Sequence, residues 1–478
     1  MGLRLILLCY GLAVSSALCG QTDGCMLSSE GRKCLHQIYH PQEEQNVCDL
    51  KASEYLYLTA YRYFIEFISF EQDSSATHFM DVCDRFSEFP GASQNQLTQL
   101  MLVNLSIQKG LIQWMRNEPF YGTLSFINGH RLLKEEYTNP SLRQEVKKLR
   151  GLFLVLIDQL PDYVTNGAGL FGLDGDHAEG FRLLQEYVAH CADKEGVYTE
   201  ALVLYGYCLL KFSNGDRDQM DQYIQKVRLS ESPLLTFVSS SVAIKTRDGE
   251  TARGLLDNLK PETLHSFPLL YHLKGKTALN TLSAECVLWL TNFLDYYPGR
   301  SFKADAHLRL ARYYRIIHDP IKEKKEAEAI LSMAEYVTSS DKQAFQEASM
   351  VAQKPELLIK ARLLFDDGQA QECIDLLTTA DQFLLSDYYL AEWHYRLARA
   401  LEGEKRYKAA ISHYQVVISL TREDDRYIGP YSALNAAKIH LEVFNDSNSC
   451  KSMLQQAKEL NSGQYKSDIK RKISALKN

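Results

Sequence analysis

The chain has 478 residues, 45% hydrophobic and 24% charged, with only 26 glycines and 12 prolines, a composition that excludes a disordered or collagen-like polypeptide. Its net charge of −7 argues against nucleic acid as the main partner, because phosphate binding needs a basic face. The length admits several domains or one repeat array, which has no ceiling on core size because each repeat packs only on its neighbours.

In chain order, residues 1–20 read as a secretory signal peptide. Arg4 supplies the positive start, residues 5–18 an apolar run, and Ala17-Leu18-Cys19-Gly20 the small residues of a cleavage site. The run is shorter than the roughly 18–20 residues that cross a bilayer, although retention as an anchor stays open as the alternative. Cys19 lacks the preceding small residue of a lipoprotein site, since Leu18 stands there. No later stretch is long and apolar enough to span a membrane. The expected product is therefore exported and soluble, in the periplasm or cell envelope, with peripheral membrane association as the second possibility. Residues 21–48 read as a polar, irregular arm. It carries Cys25, Cys34 and Cys48, whose spacing contains no Cys-x-x-Cys pair for zinc; a disulfide among them suits an oxidising compartment, with the pairing open. Cys208, Cys286 and Cys373 fall on apolar helical faces and read as small buried hydrophobes.

Residues 49–160 read as N-terminal helix pairs. The first helix, over 54–72, has Tyr55, Tyr57, Tyr61, Phe64, Phe67 and Ile68 as a broad aromatic surface, with Tyr55, Tyr61 and Phe64 assigned to the core. Helices near 76–89, 96–115, 121–137 and 142–160 follow, punctuated by Pro90-Gly91, Asn117-Glu118-Pro119, Asn139-Pro140 and Pro161. Residues 161–345 read as central helical repeats that begin with a glycine-rich corner at Gly167, Gly169 and Gly172. The corner lacks a preceding strand and a Gly-Lys-Ser/Thr ending, so it does not cradle phosphate. Asp174, Asp176 and Glu179 lack the twelve-residue spacing of a calcium loop. A new helix is expected at His177, then pairs at 199–212 and 218–227, 233–244 and 251–259, 267–282 and 284–297, and 304–317 and 322–336.

Residues 346–478 carry the clearest pattern. From Trp393, apolar residues recur at Leu397, Leu401, Tyr407, Ala410, Ile411, Tyr414, Val417 and Ile418, the inner face of two antiparallel helices. Ala398 and Ala410 sit where the axes approach, and Gly403 lies in the break. One unit earlier, Leu357, Ala361 and Leu364 lead through Gly368 to Cys373, Leu377 and Ala380. One unit later, Ala433, Ala437 and Leu441 lead to Cys450, Leu454 and Ala457, with Lys438 where a small residue is usual. This pattern resembles the tetratricopeptide repeat, about 34 residues of helix–turn–helix, whose pairs must stack because none buries its apolar face alone. The expected fold is all-α, an α-solenoid of about ten to twelve stacked antiparallel helix pairs.

The segments LFLVLIDQLP, GLFGLDGD, EGFRLLQEYV and TEALVLYGYCLL, with FPLLYHLKGKTAL and YIGPYSALNAAKIHLE, resemble the tetratricopeptide repeat protein 39 family over residues 140–475. That family includes a fungal mitochondrial outer-membrane protein, and the chain is also similar to exported bacterial proteins of this repeat type. The signal peptide is the departure. The resemblance implies an all-helical scaffold and no catalytic residues.

Catalytic patterns are missing from the sequence. The thirteen histidines are scattered, with no His-Glu-x-x-His and no Gly-x-Ser-x-Gly. Asp305 and His307, two apart on a helix, face different directions. No enzyme activity, cofactor or metal is expected. The expected function is a protein-interaction scaffold binding a protein or peptide, and not nucleic acid. In such stacks the first helix of each pair lines the concave wall, which nominates Arg362, His394, Arg399 and Tyr431 as exposed contacts.

Overall fold

The computed structural model describes residues 27–41, 50–89, 95–157, 175–194, 196–212, 217–227, 232–257, 259–381, 385–461, 463 and 466–476. The signal segment and the glycine-rich corner around Gly167, Gly169 and Gly172 lie outside the described residues. All regular structure among the described residues is helical, in stacked antiparallel pairs, an α-solenoid architecture. The chain divides into two compact units, one drawn from residues 1–277, 285–307 and 329–346, the other from 278–284, 308–328 and 347–478.

The first unit begins with α1 (Ser29–Tyr39), α2 (Ala52–Phe70), α3 (Asp73–Ser87), α4 (Gln96–Met115), α5 (Pro119–Leu133) and α6 (Arg143–Ile157). It continues with α7 (His177–His190), α8 (Val197–Phe212), α9 (Arg217–Lys226), α10 (Pro233–Lys245), α11 (Gly249–Asp257), α12 (Pro261–Ser266), α13 (Leu269–Asn280), whose last three residues count with the second unit, and α14 (Glu285–Tyr296). Next come α15 (Lys303–Ile316), α16 (Pro320–Leu331) and α17 (Ser339–Ala348), each with residues in both units. The second unit is completed by α18 (Glu356–Asp367), α19 (Ala370–Thr379), α20 (Asp387–Gly403), α21 (Tyr407–Leu420), α22 (Ile428–Glu442), α23 (Ser447–Leu460) and α24 (Lys466–Ala475).

α1 corrects the expectation of an irregular arm over 21–48. Ser28 caps it by accepting from the Gly31 amide, and the Ser28 amide and hydroxyl donate to the buried Glu54 carboxylate at 3.0 Å. Leu35 and Tyr39 are buried, and the Tyr39 and Tyr61 hydroxyls share a hydrogen bond of 2.7 Å. Cys34 on this helix is disulfide-bonded, whereas Cys83, Cys191, Cys208, Cys286, Cys373 and Cys450 are free and buried. On α2, Tyr57, Tyr61, Phe64, Phe67 and Ile68 are core, but Tyr55 is 57% exposed, so it leaves the aromatic set expected inside.

Close helix contact in this unit depends on glycine. A Cβ on Gly122 of α5 would stand 2.1 Å from the Trp114 ring and 2.8 Å from the Gly110 carbonyl of α4, so the two backbones meet only because neither residue has a side chain. Deeper still, Lys148 of α6 pairs with Glu145 and lies 3.5 Å from Glu200 of α8, all three sealed from solvent. Tyr187 of α7 donates to Glu145 at 2.9 Å. Burial holds the Glu200 carboxyl well above its ordinary range, against the pull of Lys148. One cation facing two carboxyls in a dry site disfavours a second negative charge there.

In the second unit the repeat faces pack as their spacing predicts. Ala361, Cys373, Leu377, Ala398, Ala410, Tyr414, Ala433, Ala437 and Ala457 are all fully buried in one continuous core. Gly368 closes α18 in the left-handed region at φ +95°, which glycine adopts without strain. Gly403, expected in a break, is instead the last residue of α20; the left-handed turn residue is Lys405, at φ +58°. Lys438 points outward, 47% exposed, and pairs with Glu442.

Candidate interaction face of the C-terminal repeats

The four nominated residues lie on first helices: Arg362 on α18, His394 and Arg399 on α20, Tyr431 on α22. None is fully exposed, which corrects the expectation that they project into solvent. Three of them belong to one row of arginines, tyrosines and carboxylates running across these helices. The fourth does not.

The row is built from interlocking ion pairs. Glu347 accepts from Arg312 and, at 3.0 Å, from Arg362. Burial alone would raise the Glu347 pKa, but the two guanidiniums outweigh it and hold the carboxyl well below its usual range. The next pair down is Glu392, held by Lys354 at 2.9 Å and by Arg396 at 2.8 Å. Burial opposes ionisation here too, yet the two cations bring Glu392 down to about 2. Such charges lie between helix pairs because each cation has a carboxylate within reach; an unpaired one there would cost several kcal/mol of desolvation, on the order of 3–5.

Arg399 connects this row to aromatic rings. Its guanidinium donates to the Tyr395 hydroxyl at 3.1 Å and stacks over Phe365 of α18, 5.0 Å from the ring centre. Tyr395 meets Tyr427 edge-on at 6.1 Å, and Tyr427 meets Tyr431 at 5.9 Å. Tyr431 donates to Asp468 of α24, and Lys472 stands 4.7 Å over its ring. At one side, Arg426 stacks 3.6 Å over Tyr388, which stays 41% exposed.

His394 faces the other way. Its Nδ1 lies 2.8 Å from the His413 Nδ1 on α21, so it belongs to the contact between the two helices of a pair. Burial, then His413, lowers the His394 pKa to about 4, and burial lowers that of His413. Two imidazoles nitrogen-to-nitrogen share one proton, so at neutral pH one donates and the other accepts.

The sequence reading missed Glu347, Glu392, Lys354 and Arg396. Their signal was faint: Glu392 and Arg396 are spaced i, i+4 on one helix, but Lys354 and Glu347 come from elsewhere in the chain. It also missed His272, whose Nε2 meets buried Asp305 at 2.8 Å. The partner of Asp305 is thus on α13. Among the described residues, no group of three His, Cys, Asp or Glu side chains could hold a metal, and no helix is long and apolar enough to cross a membrane.

Comparison of the chain with protein-family models and with curated proteins finds no match to either.

Proposed function

We propose that the protein is a non-catalytic, exported helical-repeat scaffold that binds a protein or peptide through the first-helix face of its C-terminal unit. The observation that carries this reading is the half-buried row of Arg362, Arg399 and Tyr431. Arg362 and Arg399 retain side-chain exposures of 17% and 24%. Arginine and tyrosine dominate binding hot spots, and side chains already held by Glu347, Tyr395 and Asp468 lose little entropy when a partner docks. The disulfide at Cys34 supports export, since such bonds persist in oxidising compartments. The likeness to the tetratricopeptide repeat protein 39 family supports a scaffold role.

The test is affinity capture of partners from an envelope extract by the full exported chain, with mass spectrometry. A partner kept by Lys438→Ala and lost by the double variant Arg399→Gln/Tyr431→Ala supports the face, provided the double variant melts as the parent does. A partner retained by the double variant, or none from repeated captures, overturns it.

A second reading, peripheral association with a lipid surface, draws on α5. Phe120, Tyr121 and Leu124 stand 69%, 59% and 42% exposed on its first turns, the arrangement of an interfacial anchor. Sedimentation with anionic vesicles, lost on Phe120→Glu, is the outcome that would favour it.

A further inference from the structure

Between α1, α2 and the start of α10 the first unit holds a pocket of about 290 Å³. Its wall is apolar: Ile38, Ile65, Phe70, Leu234 and Phe267 all line it. Among the polar side chains of the lining, two have no partner of their own among the described residues. Gln37 is 93% buried, at 7% relative exposure, and its amide has no hydrogen-bond partner among the described residues. Arg62 is exposed at the pocket and makes neither an ion pair nor a hydrogen bond among the described residues. Most cations in this unit have a partner, whereas Arg62 and the Gln37 amide both keep their hydrogen-bonding valence open at the pocket.

We propose that this pocket binds a small apolar monocarboxylate, its hydrocarbon body against Ile65, Leu234 and Phe267 and its head between the Arg62 guanidinium and the Gln37 amide. An apolar cavity with a few converging polar groups is the usual form of a small-molecule site. The sign of the head group follows from three features. Arg62 is a fork of donors suited to a carboxylate. The Gln37 amide donates to the same oxygens. The first turn of α10, with Pro233 at its first position, forms one wall, so the positive end of that helix dipole lies beside the pocket. Glu66, one helical turn from Arg62, also borders the pocket and accepts from Ser75 at 3.2 Å. Its charge does not neutralise Arg62, and it disfavours a second negative charge on the ligand, which restricts the class to monoanions. This site is independent of the protein-binding face, which lies in the other unit.

Isothermal titration of the full chain with octanoate, 1-octanol and octylamine tests the assignment. The expected result is saturable octanoate binding, at least tenfold tighter than octanol and with octylamine weakest. Arg62→Ala weakens octanoate about tenfold and leaves octanol unchanged, one charge-assisted contact being worth that factor. Gln37→Leu weakens octanoate by a smaller factor. Both variants keep the melting temperature, since neither side chain has a partner to lose. Absence of saturable octanoate binding, octylamine binding as tight as octanoate, or Arg62→Ala within twofold of the parent would each overturn the proposal.

Discussion

Glu392→Ala removes the one carboxylate shared by Lys354 and Arg396, at 2.9 and 2.8 Å. Both cations stay behind, with side-chain exposures of 16% and 8%, too enclosed to recover full hydration. A carboxyl brought from 4.5 to about 2 corresponds to on the order of 3 kcal/mol of native-state ion pairing. Breaking one side of a buried pair costs about 3–5 kcal/mol by a separate route, so the two figures agree. For a unit of this size that is a fall of about 10 °C in Tm. The assay is thermal and urea unfolding followed by circular dichroism at pH 7, fitting each transition separately because a two-unit chain need not melt in one step. The sign with pH is fixed. Glu392 has a lowered folded pKa, so its stabilisation is complete above the unfolded value near 4.5 and is lost as pH falls toward 2. The gap between parent and variant therefore narrows as the pH is lowered from 5 toward 3. Replacing the triad by Lys354→Met/Glu392→Leu/Arg396→Met regains most of the loss. A cost below about 1 kcal/mol for the single variant, or a gap that widens in acid, would refute the reasoning.

Two glycines should respond to alanine with opposite signs. Gly122→Ala forces a Cβ against Trp114 and the Gly110 carbonyl and costs about 2–4 kcal/mol, while Gly254→Ala on α11, with nothing within 4 Å of its Cβ, gains about 0.5–1 kcal/mol of helix propensity; urea midpoints check both. The His394–His413 contact makes the second unit acid-sensitive. Because His394 titrates near 4 when folded and near 6.5 when unfolded, its stabilisation is full above 6.5 and drains as pH falls to about 4, so Tm drops by a few degrees in that window and His394→Phe, which removes the titrating ring, flattens the drop. Leu35→Ala, on the helix that begins the described chain, costs about 2–5 kcal/mol in urea titration; a cost under 0.5 kcal/mol would show α1 to be peripheral to the core.

The helical class was legible because helical burial leaves a local trace. Ala361, Ala398 and Ala437 recur at about the repeat period, 37 and 39 residues apart, and every one is fully buried. Helix ends written in proline and glycine were equally plain: α4 spans 96–115 in both readings. α1, α17 and α24 escaped because their apolar residues are few and their burial is supplied by other helices. Leu35 and Tyr39 are two such buried residues in a polar segment, and Tyr39 meets Tyr61, 22 residues away.

The candidate site divides the same way. Periodicity alone determined that Arg362, His394, Arg399 and Tyr431 sit on the first helices of repeats, since a helix face follows from a count of residues. Only the tertiary structure decided what each side chain meets. His394 turns to His413 across the pair, while Arg362 finds Glu347 and Arg399 finds Phe365 on neighbouring elements. The pocket beside Arg62 left no trace in the sequence, because its walls come from segments near residues 38, 65, 234 and 267. The apolar period is a local property repeated along the chain. Charge pairing and cavities depend on distances between elements, which the order of residues along one helix does not contain.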